Sequence, residues 1–221
     1  MAILLGGAMT VVLAVCAVAG LFILRTAGSD GPGERMEPAR SRQSAAAEPR
    51  ATFTPFDVVP SACGVVENGT AVRLVPGSSA QTYGTETDEY SKCSWGDIEA
   101  SDPRELSIEV QGVTGADPIK EAGTLFQQAA QADEKGEGLL AGQRLRGFQQ
   151  VEGIGEQAYE LFVAEKTQGQ GIVSTRVGNV LITVSYGGST KEDSPLSETM
   201  CLEGAREIAK AAAESVRAQA G

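Results

Sequence analysis

The feature that most constrains this chain is an uncharged apolar run near its N-terminus. The run begins at Ala2 and ends at Leu24, and a helix of about 20 apolar residues is long enough to cross the hydrocarbon core of a bilayer. A secretory signal peptide would end in a small-residue cleavage site followed by polar sequence. Here the best such site, Ala17-Val18-Ala19, is followed by more apolar residues. We therefore predict a transmembrane anchor over residues 1–25 that inserts in the lipid bilayer.

The orientation of the anchor depends on the residues that follow it. Arginines lie at positions 25, 35, 40 and 42, and the positive-inside rule alone would keep this segment in the cytoplasm. Acidic residues interrupt these arginines, however, and large domains translocate largely regardless of charge. We expect a single-pass protein of the cell membrane whose C-terminal domain is extracytoplasmic.

The composition changes twice after the anchor. Residues 26–52 are rich in Pro, Gly, Ser, Ala and mixed charge, with little to bury, which is typical of a disordered linker. Residues 53–221 are enough for one ordinary domain. Aromatic residues make up only 5% of the 221-residue chain, which has 27 glycines, so we expect a core of Val, Leu, Ile and Ala between glycine-rich turns.

Hydrophobic periodicity predicts several short strands in this domain. In the clearest one, over residues 105–111, Leu106, Ile108 and Val110 alternate with polar residues, as a half-buried strand requires. Gly178-Asn179 has the composition of a hairpin turn. Further strands are predicted over residues 90–97, 158–164, 171–176 and 179–186, and residues 60–74 are predicted to form a short helix pair or turn.

Two amphipathic helices complete the prediction. The first begins at Asp117-Pro118, an N-cap followed by proline, and the second opens at Ser194-Pro195. The apolar stripe of the first is Ile119, Ala122, Leu125, Phe126 and Ala129, and that of the second is Cys201, Ala205, Ile208, Ala209, Ala212 and Val216. Short sequential strands with helices between and after them predict an α+β fold, an antiparallel sheet with helices packed on it.

The composition also limits the chemistry. The chain has no histidine, which removes the usual general base near neutral pH and the commonest metal ligand. The net charge of −11 argues against nucleic acid as a partner. Gly153-Ile154-Gly155 and Gly169-Gln170-Gly171 lack the spacing and basic partner of a phosphate loop and are interpreted as turns. We predict no catalytic residue, no cofactor and no metal site, and therefore no enzymatic activity.

Three cysteines lie outside the predicted anchor, so at most one intrachain disulfide can form. We favour Cys63 with Cys93, a bridge whose loop of about 30 residues would stabilise the fold by roughly 3–4 kcal/mol. Cys201 lies on the apolar stripe of the last helix, which favours a buried thiol. A bridge between Cys201 and Cys63 remains the alternative. Trp95 lies two residues after Cys93 and is interpreted as a core residue rather than a ligand-stacking one.

Short motifs in a fixed order resemble a known kind of protein. They are Cys63-Gly64, Leu74-Val75-Pro76-Gly77, Cys93-Ser94-Trp95, Gly153-Ile154-Gly155-Glu156-Gln157-Ala158, and RVGNVLITVSY over residues 176–186. This order, over residues 55–216, resembles an uncharacterised actinobacterial cell-envelope protein family with a Cys…Cys-Ser/Thr-Trp pattern, many of whose members are lipoproteins. The chain departs from those members because bulky Val15 precedes Cys16, so that no credible lipobox is present.

The layout is more remotely similar to the extracellular sensor domain of a mycobacterial Ser/Thr kinase. That similarity implies a twisted antiparallel sheet flanked by helices, a disulfide between Cys63 and Cys93, and a ligand-binding cleft. We therefore expect a non-catalytic binding or sensing module for an unknown small molecule, envelope polymer or envelope protein. Two alternatives are a carboxylate-dependent envelope hydrolase, whose paired carboxylates would be defined only in space, and a structural protein of an envelope complex.

Overall fold

A computed structural model describes residues 53–82, 86–97, 102–190 and 194–220 of the chain. The predicted anchor from Ala2 to Leu24 and the predicted linker over residues 26–52 lie outside the described residues. Among the helices that the structure describes, none combines the length and the apolar character that crossing a bilayer requires.

The described chain contains seven strands and three helices, with three strands in succession after the first helix and four after the second. The strands form one sheet in the order β1-β2-β3-β7-β6-β5-β4, and every neighbouring pair is antiparallel. The predicted α+β class and antiparallel sheet are therefore confirmed. The elements are α1 (Asn68–Leu74), β1 (Gln81–Thr82), β2 (Tyr90–Asp97), β3 (Arg104–Gly112), α2 (Pro118–Glu134), β4 (Arg144–Val151), β5 (Gln157–Ala164), β6 (Gly169–Val177), β7 (Val180–Gly188) and α3 (Glu198–Gln219).

One face of the sheet, the inner face, is covered by α3 and by the segment that precedes β1. The predicted stripe of α3 is confirmed, since all six of its residues are buried. They pack with the inward side chains of the central strands, among them Leu106, Ile108, Val173 and Val184. Residues 59–75 contribute a second apolar layer to the same core. Burial of this continuous apolar surface is the main driving force for the fold.

Among the described helices, α2 lies on the opposite, outer face, and the stripe predicted for this helix is partly wrong. Its buried residues are Ala122, Phe126 and Ala130, a single row at four-residue spacing. Leu125 is 43% exposed and Ala129 is also exposed. The row packs on apolar residues of β5, β6 and their neighbours. A helix that lies along part of a sheet face buries a narrower row than one enclosed on two sides.

Gly169 and Gly171, interpreted from the sequence as part of a turn, both lie within β6, which begins two residues before the strand predicted over residues 171–176. A Cβ on Gly171 would come within 2.6 Å of the Cys201 backbone, and one on Gly169 within 2.4 Å of the Leu196 carbonyl oxygen. These glycines therefore let α3 and the segment before it approach the strand closely. The other predicted turns, Gly153-Ile154-Gly155 and Gly178-Asn179, fall outside the strands as expected.

The predicted start of the last helix is also corrected. The helix begins at Glu198, and the Ser197 side chain caps it by accepting a hydrogen bond from the Met200 amide at 3.3 Å. Pro195 is extended and forms an isolated β-bridge with Ser189. The proline therefore pairs with the residue that follows β7 before the helix starts, rather than occupying the first turn of the helix.

The cysteine pairing is the one favoured from the sequence. Cys63 and Cys93 are joined, with an S–S distance of 2.04 Å, which ties the segment before α1 to β2. Cys201 is a free, buried thiol whose Sγ donates a hydrogen bond to the Gly169 carbonyl oxygen. Burial raises the pKa of Cys201 to about 11. The alternative bridge between Cys63 and Cys201 is not the one present.

Candidate functional site: the serine face

Polar side chains occupy the part of the outer face formed by β2, β3 and β7. Because side chains alternate along a strand, the residues between the buried Leu106, Ile108 and Val110 point away from the inner core. The register then places the outward residues of the three strands side by side. We call this surface the serine face and define it by six residues: Lys92, Ser94, Ser107, Glu109, Thr183 and Ser185.

Three serines form one row of the serine face. Ser94 lies opposite Ser107, and Ser107 lies opposite Ser185. Within the described part of the chain, none of these hydroxyl groups has a hydrogen-bond partner, since their residues are absent from every side-chain hydrogen bond. No described side-chain atom is both fully buried and unsatisfied, so the three hydroxyls retain contact with solvent. Ser107 is half-buried, whereas Ser94 and Ser185 are 7% and 6% exposed. Each hydroxyl can both donate and accept a hydrogen bond.

A second row adds an ion pair. Lys92 lies opposite Glu109, and Glu109 opposite Thr183. Lys92 Nζ donates to Glu109 Oε1 at 2.6 Å, and the two side chains are 21% and 15% exposed. Burial opposes the charge on Lys92, but the hydrogen bond and negative charge of Glu109 outweigh it and raise the pKa of Lys92. Lys92 therefore keeps its charge at neutral pH and holds it against Glu109.

Tyr90 borders this row on β2. Burial, followed by the negative charge of Glu109, raises the pKa of Tyr90. The phenol therefore stays protonated at neutral pH and can donate a hydrogen bond.

The second row continues beneath α2. Thr183 lies opposite Ser174 with 3.4 Å between their hydroxyl oxygens, and Ser174 lies opposite Tyr159. The Tyr159 hydroxyl donates to Asp133 Oδ2 in the last turn of α2 at 2.7 Å. Burial raises the pKa of both Tyr159 and Asp133. A polar row thus links the serine face to the end of the helix that bounds it.

An ion pair on the inner face is structural. Glu160 is 1% exposed, and Arg206 of α3 binds both of its carboxylate oxygens. Gln149 of β4 donates to the same carboxylate. Burial opposes ionisation, yet the hydrogen bonds from Arg206 and Gln149 lower the pKa of Glu160. This network joins α3 to the β4–β5 edge of the sheet.

Other residues singled out from the sequence have packing roles. Trp95 is fully buried, and its indole Nε1 donates to Asn68 Oδ1 at 3.1 Å, so it holds α1 against β2. Asn179, in the turn between β6 and β7, binds the Phe56 amide and carbonyl and the Val113 carbonyl. No group of three potential metal ligands is present among the described residues.

Sequence reasoning did not identify the serine face, although it predicted all three strands, β2, β3 and β7, on which the face lies. The outward positions of β3 and β7 are visible as alternating polar residues, but nothing local indicates that these strands are neighbours. Ser107 and Ser185 are brought together by long-range pairing. The comparisons with known proteins add no further constraint, since no family model and no curated protein matches the chain.

Proposed function

We propose that this protein is a membrane-anchored, extracytoplasmic binding or sensing module, non-catalytic, whose ligand lies on the serine face. The observation that carries the proposal is the unequal cover of the two sheet faces. On the inner face, α3 and residues 53–75 pack against the sheet. On the outer face, α2 packs against one half of the sheet. The other half carries serines on three adjacent strands whose hydroxyls have no partner among the described residues; Ser107 is half-buried, and Ser94 and Ser185 are 7% and 6% exposed.

The cysteines support the extracytoplasmic part of the proposal. A disulfide of the kind formed by Cys63 and Cys93 persists in oxidising compartments and is rare in the cytosol. Cys201 stays reduced because it is enclosed between α3 and β6. Anchoring by the apolar run from Ala2 to Leu24 remains a prediction from the sequence.

The carboxylates support binding rather than catalysis. Glu160 is held by Arg206, Asp133 accepts from Tyr159, and Glu109 is paired with Lys92. Each of these buried or half-buried carboxylates has a partner that stabilises a single arrangement. A hydrolase of the kind considered above needs two carboxyl groups that face a shared substrate.

Cysteine labelling in intact cells tests both parts of the proposal. Ser107→Cys places a thiol on the serine face, and Ser215→Cys places a matched thiol on α3, away from it. Both variants and the parent protein are treated with a membrane-impermeant maleimide, first in intact cells and then after purification. The parent measures background from the native cysteines.

We expect Ser215→Cys to be labelled in intact cells and Ser107→Cys to be labelled more slowly there than after purification, because the ligand covers it. If neither thiol reacts until the cells are lysed, the extracytoplasmic location is wrong. If Ser107→Cys reacts equally fast in cells and after purification, the serine face is unoccupied and the binding proposal fails.

A further inference from the structure

We propose that the outer edge of β4 is an interface for a second copy of this chain, and that the β4 strands of the two copies pair antiparallel. The two sheets would then continue into each other. This interface is separate from the serine face, which lies on β2, β3 and β7, and from the binding function proposed for that face.

The two edges of the sheet differ in length. β1, at one edge, has two residues, whereas β4, at the other edge, has eight. Among the residues that the structure describes, β4 pairs with β5 alone. An edge strand presents unpaired backbone N–H and C=O groups, and natural proteins commonly keep such edges short or covered. The long edge of β4 therefore has the backbone groups to accept another strand.

Charges of opposite sign lie at the two ends of β4. Arg146 lies near the start of the strand, and Glu152 directly follows its last residue. Both side chains are exposed, and neither takes part in an ion pair among the described residues. The two residues are about 20 Å apart along an extended chain, too far to pair within one copy. Antiparallel pairing brings the arginine of each copy to the glutamate of the other.

The bulge in β4 determines the register of this pairing. A register shift between Leu145 and Gly147 leaves Arg146 outside the regular ladder, so the regular stretch is residues 147–151. Each face of one strand must meet the same face of the other. Aligning the stretch with itself puts Gln149 opposite Gln149 of the second copy. Arg146 then lies opposite Glu152 of the second copy at both ends of the interface.

The outer face at this edge supplies an apolar contact. Phe148 is half-buried at the margin of the apolar cluster beneath α2, where its ring lies 5.3 Å from that of Tyr159. In the register above, Phe148 is diagonal to Phe148 of the second copy. Diagonal neighbours on one face are about 7–8 Å apart, within reach of aromatic side chains. Pairing therefore joins the apolar clusters of the two copies.

Crosslinking of the full-length protein in detergent tests the interface. Gln149→Cys places a thiol on the two-fold axis, where it meets its own copy within disulfide distance. Gln127→Cys, on the exposed side of α2, is the matched control. Both carry Cys16→Ser, so that the predicted anchor contributes no thiol, and circular dichroism checks their fold. We expect Gln149→Cys to form a dimer on a non-reducing gel after oxidation and Gln127→Cys to remain monomeric.

Charge reversal tests the register. Arg146→Glu and Glu152→Arg each put like charges face to face at both ends of the interface. Each should raise the dissociation constant of the dimer, measured by sedimentation equilibrium, by about tenfold. An equimolar mixture of the two variants should restore the parent value, because a dimer with one copy of each has opposite charges at both ends. Lys210→Glu, on the exposed side of α3, is the matched control and should leave the dissociation constant unchanged.

Three results would overturn the inference. The first is a protein that stays monomeric at every concentration. The second is association in which Gln149→Cys forms no crosslink, because the contact then lies on another surface. The third is a mixture of the two charge variants that dimerises no better than either alone. None of these results changes the labelling expected for Ser107→Cys, so the proposed binding function is tested separately.

Discussion

The two faces of one sheet differ in what covers them, although the same strands supply both. β3 directs Leu106, Ile108 and Val110 into the inner core, where each is fully buried, and directs Ser107 and Glu109 outward. The inner face packs against α3 and residues 59–75 in one core, whereas α2 packs on the outer face through a single buried row. The inner face thus stabilises the fold, and the outer face is where a substitution can change binding without unfolding the domain.

The largest expected effect comes from isoleucines on opposite faces. Ile108 is fully buried in the inner core, and Ile172 is only partly buried beneath α2. We expect Ile108→Ala to lower the free energy of unfolding by about 4 kcal/mol and Ile172→Ala by about 2 kcal/mol, because the cost of truncation depends on enclosure. Denaturant unfolding measures both. Equal losses would mean that α2 encloses the outer face as tightly as α3 encloses the inner one.

The disulfide gives the next largest effect, on the inner side of β2. Replacing both Cys63 and Cys93 by alanine should lower the free energy of unfolding by about 3–4 kcal/mol, as expected for a loop of their separation. Cys201→Ala, which removes a buried thiol but no crosslink, should cost about 1 kcal/mol. Unfolding of the parent and of Cys201→Ala should become easier on adding reductant. A reductant effect of equal size in the double variant would show that the bridge is not its source.

The ion pair between Glu160 and Arg206 of α3 should make the free energy of unfolding depend on pH. Arg206→Met leaves Glu160 buried without its cation and should cost about 2 kcal/mol at neutral pH, less than a fully buried pair because Arg206 is 39% exposed. In the parent the pKa of Glu160 is lowered. Its stabilising effect is therefore complete above the unfolded pKa of about 4.3 and is lost as the pH falls through the folded value.

The difference between Arg206→Met and the parent should consequently shrink as the pH is lowered from 7 to 3. Arg73→Met is the matched control, since Arg73 pairs with Glu207 of the same helix but both side chains are well exposed. It should cost less than about 0.5 kcal/mol at every pH. A pH-independent loss in Arg206→Met would mean that the arginine contributes by packing alone.

The difference between the faces also explains what the sequence could predict. The alternation of apolar and polar residues in β3 and the apolar stripe of α3 could be predicted because each is a local, strongly periodic pattern. β4 was missed because its apolar residues Leu145 and Phe148 are an odd number of positions apart. A register shift between Leu145 and Gly147 brings both to the face covered by α2.

The serine face could not be predicted because it depends on which strands are neighbours. β3 pairs with β7 rather than with the next strand in sequence, so Ser107 meets Ser185 only in the folded sheet. The narrow contact of α2 was missed for a related reason. The predicted apolar stripe of α2 includes Leu125 as well as Phe126. Which of these two residues is buried depends on the width of the sheet surface that α2 contacts.

The smallest expected effect on stability is the one that most sharpens the comparison of the two faces. The triple alanine variant of Ser94, Ser107 and Ser185 removes three hydroxyls that have no partner within the described chain, so each change should alter the free energy of unfolding by less than about 0.5 kcal/mol. Circular dichroism and denaturant unfolding provide the measurement. Because alanine lowers strand propensity only slightly, a loss above about 2 kcal/mol would mean that the serine hydroxyls stabilise the fold. A near-neutral result would instead mark them as polar groups retained on the outer face without a benefit to folding, the pattern that a binding surface requires.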